Sequence, residues 1–309
     1  MVPARKLLAL ALLTLFWGVN WPVMKLAMRD MTPLYFRALT LTGGLALLVA
    51  WYRSQGARLR VPRAQFGRVA LLALPNILMW HGFSIFGVQA LASGRAAILG
   101  FTMPIWTVLL GVLFFREKMN SRLWLATACA AGAVTLLLWH ELGAISGKPA
   151  GTAWMLAAAA SWATGTLLLK RLPAAVPTEA LTVWMLALAV PVLWLVAGLT
   201  EPLPDFSFSP AMWGVLGYSI VINAAAAQII WFSIARSLPP VASGLSIMMI
   251  PVVGLGSAMW ITGERPYPQD LVAAGLILLA LGATLLPRRA GRAPAQGLME
   301  KGVKSVSRS

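Results

Sequence analysis

Residues 104–118 read PIWTVLLGVLFFREK, and residues 251–265 read PVVGLGSAMWITGER. Each segment opens on Pro, runs through mostly apolar residues and closes on Glu followed by a cation, Glu117-Lys118 and Glu264-Arg265. The two segments lie 147 residues apart, and Asn76 with Asn223 and Leu91 with Leu238 repeat at the same offset. Trp17 and Lys25 recur 145 residues on, as Trp162 and Lys170. The chain therefore reads as two copies of one unit, 1–145 and 146–287, followed by a basic tail, 288–309.

How the copies face one another depends on the number of membrane crossings in each. Of 309 residues, 59% are hydrophobic and 11% charged, and the mean hydropathy is +0.78. That balance excludes an ordinary soluble enzyme, in which about a quarter of residues are charged. Long apolar blocks bounded by charge, Pro or Gly give ten spans, 6–27, 33–53, 68–90, 93–115, 121–140, 150–171, 180–198, 211–235, 240–261 and 268–287. Five spans per copy is an odd number, so the second copy must sit upside down relative to the first. The expected fold is an all-α membrane protein with ten transmembrane helices in two inverted five-helix repeats around a central cavity, an arrangement suited to a site at the repeat interface near the midplane. The longest connections, 54–67, 140–149 and 199–210, leave no room for a soluble domain. The tail beyond Pro287 has almost no apolar content and is expected to be disordered. Arg5-Lys6 followed by Leu7 to Phe16 resembles a secretory signal, but the apolar run continues through Trp17 towards Ala27, as in a retained first span.

The 25 Lys and Arg outnumber nine Asp and Glu. These cations lie between apolar blocks rather than along a basic face, so they speak for orientation in lipid and not for nucleic acid. An even number of spans puts both termini on one side, and that side collects 19 cations against six, the six being Lys25, Arg29, Arg37, Arg95, Lys148 and Arg265. The positive-inside rule makes the terminal side cytoplasmic. Glu117 then falls on the cytoplasmic side and Glu264 on the opposite one. The single Cys129 excludes an internal disulfide and a cysteine-built metal site.

Of 14 Trp, those near span ends (Trp51, Trp124, Trp139, Trp154, Trp213 and Trp260) suit the aromatic belt, whereas Trp17, Trp80, Trp106 and Trp162 fall near mid-span, where an indole N–H needs a partner or a wet cavity. Helical spacing puts Asn76, Trp80 and Ser84 on one face, and Asn223, Ala227 and Trp231 on another with Gln228 at its edge; Trp17, Asn20, Trp21 and Met24 form a third stripe. Such stripes either line a substrate cavity or hold helices together by hydrogen bonds. Met103, Met248 and Met249 suit a pliable apolar wall. His81 is the only titratable side chain expected deep in a span, either as a proton site or as a helix contact. Lys25 and Lys170 sit where they can snorkel to the interface and set orientation, with pairing to a substrate carboxylate as the second reading, and Glu117 and Glu264 are read as interfacial pairs with Lys118 and Arg265, or as gates. Pro22, Pro104 and Pro251 are candidate hinges, Pro104 and Pro251 with Gly100, Gly111, Gly254 and Gly256 nearby. The candidate substrate-binding set is Trp17, Asn20, Trp21, Asn76, Trp80, His81, Ser84, Met103, Trp106, Trp162, Thr166, Asn223, Gln228, Trp231 and Met248.

The first span carries Phe16-Trp17-Gly18-x-Asn20-Trp21-Pro22. With two inverted five-helix repeats and the Pro-x12-Glu-(Lys/Arg) endings of spans 4 and 9, the chain resembles the drug/metabolite transporter superfamily, EamA type, over nearly its whole length to about residue 287. Within it the sequence looks most similar to bacterial inner-membrane amino acid exporters, the aromatic amino acid group in particular. The resemblance implies a basket-like cavity formed by spans 1, 3, 4, 6, 8 and 9, with spans 5 and 10 peripheral. Span 6 departs from the pattern, reading Trp162-Ala163-Thr164-Gly165 without the Asn and Pro of span 1.

Enzyme motifs fail on inspection. His140-Glu141 lacks the second His of a zinc protease helix, no Gly-x-Ser-x-Gly elbow occurs, and Gly143 to Lys148 has the wrong spacing for a phosphate loop and is followed by Pro149. No enzymatic activity, metal or cofactor is expected. The expectation is a secondary transporter exporting amino acids or similar small metabolites by alternating access, with lipid and the solute as its partners and no nucleic acid. A carrier for lipophilic cations or nucleotide-sugar-like solutes, and a passive channel or scaffold, are the alternatives. Gly275, Gly282, Ala126, Ala130 and Ala133 permit close helix contact, either within one chain or in a homodimer.

Overall fold

In hydrocarbon every backbone N–H and C=O must be satisfied within the protein, and helices do this segment by segment. The computed structural model describes residues 4–116, 119–143, 148–172, 174–235 and 240–285, and among these it contains helices and no strands. The helices are α1 (Ala4–Ala27), α2 (Pro33–Ser54), α3 (Arg63–Ala90), α4 in two parts (α4a, Ser93–Gly100; α4b, Met103–Phe115), α5 (Ser121–Gly143), α6 (Pro149–Arg171), α7 (Thr178–Thr200), α8 (Pro210–Gly217 continuing through Tyr218–Ala226 and Ala227–Ala235), α9 (Pro240–Ile261) and α10 (Pro268–Leu285). Eight stretches, one in each of α1 to α8, are long and apolar enough to cross a membrane; Met249–Ile261 and Pro268–Ala283 are shorter apolar stretches. Helix ends agree closely with the apolar blocks; the widest departure is α3, which starts at Arg63 rather than at 68.

Proline marks many of the starts. Pro33, Pro104, Pro149 and Pro210 occupy first-turn positions, where the missing N–H costs nothing. Pro104 therefore opens α4b just after the break at Phe101-Thr102, instead of bending a continuous span.

Two turns are wound more widely than an α-helix. Leu74–Met79 in α3 and Tyr218–Ala226 in α8 are π-helical, and they carry Asn76 and Asn223. In α3 the cause is local: Pro75 offers no N–H, and its ring displaces the preceding turn. In α8 packing accompanies the widening, since Gly43 and Gly44 of α2 lie directly against Ile220 and Ala224.

The most extensive helix contacts run between the two halves of the chain: α1 with α9, α3 with α6, α4 with α6 and α9, α2 with α7 and α8, and α5 with α10. The core is correspondingly shared, with Met24, Phe36, Ile85, Leu99, Met155 and Leu193 almost fully buried. Small residues allow the closest approaches. Gly18 abuts Val253, Gly87 abuts Met155, and the Ala126, Ala130 and Ala133 stripe is buried within this one chain, on the α5 helix that packs along α10.

Candidate functional site

Two tryptophan pairs tie the inner helices together. Trp17 of α1 meets Trp231 of α8 with ring centroids 5.7 Å apart, and Trp80 of α3 meets Trp162 of α6 edge-to-face at 5.3 Å. All four rings are only half-buried. Asn76, one turn before Trp80, is buried against the backbone of Gly165 and donates from Nδ2 to the Leu72 carbonyl at 2.8 Å. Tyr218, not singled out from the sequence, joins α8 to α1 by donating its hydroxyl to the Phe16 carbonyl at 2.8 Å.

A Cβ at position 165 would overlap the Asn76 amide. Gly165→Leu is expected to lower stability by about 1–3 kcal/mol, the usual effect of overpacking a tight core, while Gly67→Leu, at a position with open space, leaves it unchanged. Thermal unfolding midpoints in detergent check this; equal midpoints for the two variants would contradict the α3–α6 contact.

The stripes divide when folded. Asn76 and Trp80 address α6, whereas Ser84 addresses α2. Trp21 is 5% exposed and wedged between α4a and α9 beside Gly100 and Gly254. Pro22 and Pro251 lie buried inside α1 and α9. Met103, Trp106, Thr166, Asn223 and Gln228 are half-buried, with the Thr166 hydroxyl donating to the Trp162 carbonyl at 3.0 Å. The side chain of Met248 lies outside the described residues, as do Glu117, Lys118 and the tail.

Four charged residues, Arg37, Lys25, Glu264 and Arg95, are placed differently from the expectation of flanking cations and interfacial pairs. Arg37, counted above among the orienting cations, turns into the bundle and is 5% exposed; its Nη2 donates to Met24 Sδ at 2.8 Å and to Ser84 Oγ at 3.4 Å. His81 is thus not alone as a titratable side chain inside the bundle. Lys25 does not snorkel outward but donates to the carbonyls of Val88, Gln89 and Leu91 at 3.0, 2.8 and 2.8 Å, completing the C-terminal end of α3. Glu264 pairs with backbone rather than with Arg265: its carboxylate accepts the Ser93 N–H and hydroxyl, both at 2.7 Å, and the Gly94 N–H at 3.0 Å, at the start of α4a. Gly263, at φ +68°, makes the left-handed turn that brings Glu264 back over that helix end; Arg116, 147 residues earlier, is left-handed too, at φ 53°.

Arg95, also counted as a flank, is buried in a two-pronged ion pair with Asp270 at 2.9 and 3.2 Å. Lys25, Met28, Arg29, Gln89, Thr262 and Glu264 surround a cleft of about 250 Å³ at this end of the bundle. Lys170, which matches Lys25 at the 145-residue offset, is exposed. No group of three or more metal-ligating side chains occurs among the described residues.

The profile described as the EamA-like transporter family matches two consecutive stretches, 4–139 and 149–286. The chain is 23% identical over 276 residues to the uncharacterized transporter YoaV of Bacillus subtilis, covering 89% of this chain and 94% of that one. It is 35% identical over 117 residues to the uncharacterized transporter YvbV of the same organism, and 25% identical over 132 residues to protein PagO of Salmonella typhimurium, with coverage of 37% and 42% of this chain and 37% and 43% of theirs. One solved crystal structure superposes with a TM-score of 0.60 at 19% identity, covering 89% of this chain and 95% of that one, which establishes a shared fold.

Proposed function

The chain belongs to the EamA-like transporter family, and from that premise we propose that it is a secondary carrier exporting amino acids or similar small metabolites across a bacterial inner membrane. In this reading ten spans form two inverted five-helix repeats, both termini are cytoplasmic, and the halves rock about a site between them. The exchange of halves relates the observed contacts to one another: α1 with α9 corresponds to α6 with α4, α3 with α6 to α8 with α1, and α2 with α8 to α7 with α3. The Trp17–Trp231 pair joins α1 to α8 and the Trp162–Trp80 pair joins the corresponding helices α6 and α3, although at the 147-residue offset Trp231 matches Ser84 and Trp80 matches Ala227.

The observation that carries alternating access is the inequality of the two lysines. Lys25 closes onto the Val88 and Gln89 carbonyls of α3 and that of Leu91 just beyond it, while Lys170 at the matching position of the other repeat is exposed. Two repeats of one design in different local states is the arrangement expected of a carrier closed at one end and open at the other. The opposite state would engage Lys170 and release Lys25. The Arg95–Asp270 pair has no counterpart in the repeat, where Ala242 and Leu123 stand 147 residues away, so closure at the Lys25 end has an added lock. Half-buried Trp, Met, Asn and Gln side chains suit an amphiphilic zwitterion, whereas a lipophilic cation would meet the buried Arg37.

Purified protein in liposomes is expected to show saturable flux and counterflow for members of an amino acid panel. Linear, unsaturable flux would support a channel, and no flux a scaffold. Running the panel with and without a pH gradient tests His81: flux indifferent to the gradient removes it from coupling. Cysteines at positions 118 and 265 should label from opposite faces of the membrane; labelling from one face would overturn the inverted repeat.

A further inference from the structure

We infer that Arg37, Asn20 and His81 form the recognition site for an α-amino-acid head group, Arg37 taking the carboxylate and Asn20 and His81 the ammonium. The inference rests on the carrier reading above and names the substrate class of that carrier.

Arg37 lies in the second turn of α2, 5% exposed, and the partners of its guanidinium are a thioether and a hydroxyl. Neither neutralises a charge. Glu201 stands at the start of the same helix, but its carboxylate accepts the N–H groups of Leu34 and Tyr35 at 3.0 to 3.2 Å. A buried cation without a counter-ion is destabilising by several kcal/mol, and an intramembrane charge without a structural partner points to a ligand. The Nε edge of Arg37 has no hydrogen-bond partner. Nε and the adjacent amino group form the planar fork that binds a carboxylate side-on.

Among the buried atoms without a hydrogen-bond partner are an amide oxygen and an imidazole nitrogen, each able to accept. Asn20, 9% exposed, leaves Oδ1 unpaired, and His81 leaves Nδ1 unpaired. They belong to α1 and α3, the two helices whose side chains Arg37 meets. Asn20 is one turn from Met24, whose sulfur Arg37 touches, and His81 is one turn from Ser84, whose hydroxyl Arg37 reaches. Buried polar atoms are normally satisfied, so an open guanidinium edge on α2 and two acceptors on the helices it contacts supply the groups that would complement a carboxylate and an ammonium side by side.

The test uses full-length protein in detergent and in liposomes with phenylalanine, phenethylamine, 3-phenylpropionate, a set of aliphatic amino acids, acetate and chloride as probes. Quenching of tryptophan fluorescence reports binding, and counterflow reports transport. The wild-type protein should prefer at least one amino acid over its decarboxylated and deaminated analogues by about tenfold to a hundredfold, the range for one lost charge-assisted bond. Arg37→Gln should abolish the preference for the carboxylate while leaving the amine analogue unaffected; Asn20→Leu should do the reverse. Arg37→Lys keeps the charge without the fork and should fall between. Equal affinity for amino acids and chloride or acetate would mean an anion site only and overturn the inference. So would saturable flux of other solutes with no discrimination within the panel, a result that leaves the carrier reading standing. Absence of saturable flux and of binding for every solute would remove both. Comparison of probes on the wild-type protein keeps the inference testable if a variant fails to fold.

Discussion

Asp270→Ala is expected to lower stability by about 3–5 kcal/mol, the cost of leaving one partner of a buried ion pair without its counter-charge. Both side chains are 5% exposed, and the guanidinium and carboxylate meet through two bonds, with the Tyr267 ring 5.7 Å from the Arg95 guanidinium carbon. Asp270 also accepts the Tyr267 N–H at 2.9 Å, in the first turn of α10, so its removal takes away a helix cap as well. The double replacement Arg95→Met with Asp270→Leu should recover most of the loss, because an apolar pair of similar volume carries no desolvation penalty. Unfolding midpoints of the four proteins, followed by size-exclusion in detergent, check this. A single variant within about 1 kcal/mol of wild type, the range of an exposed pair, would mean that the ion pair is solvated.

Lys25→Met is expected to unlatch the same end of the bundle. Three charge-assisted bonds to helix-terminal carbonyls disappear, and even with water replacing part of them the closed state should lose about 3 kcal/mol, which shifts its population more than 100-fold. A cysteine placed at Met28, on the wall of the adjoining cleft, should react faster with a membrane-impermeant maleimide in this background, and counterflow should fall. Glu264→Gln should act in the same direction more weakly, since the amide keeps an acceptor for Ser93 but loses the charge. Unchanged labelling in both variants would show that these contacts are static caps with no part in opening.

Much of the architecture was legible before any coordinates. Apolar blocks located the helices to within a few residues, and the resemblance carried by Phe16 to Pro22 and by the two Pro-to-Glu segments pointed to the family whose model matches 4–139 and 149–286. The π-wound turns were not legible. Pro75 hinted at the first, but nothing in Tyr218–Ala226 signals the second, whose widening accompanies the contact with Gly43 and Gly44 of another helix.

Hydropathy and helix ends are properties of neighbouring residues in sequence, and counting them suffices to decide how many apolar helices form and where each stops. Which side chain meets which is decided between helices distant in sequence. Arg37 and Arg95 looked like any cations beside an apolar block; only the packing of α2 on α3 and of α4a on α10 turned one into an unneutralised charge inside the bundle and the other into a buried ion pair. Glu264 had Arg265 as its neighbour in sequence but found Ser93 and Gly94, 170 residues away, because the positive end of a helix lay within reach once the chain had folded.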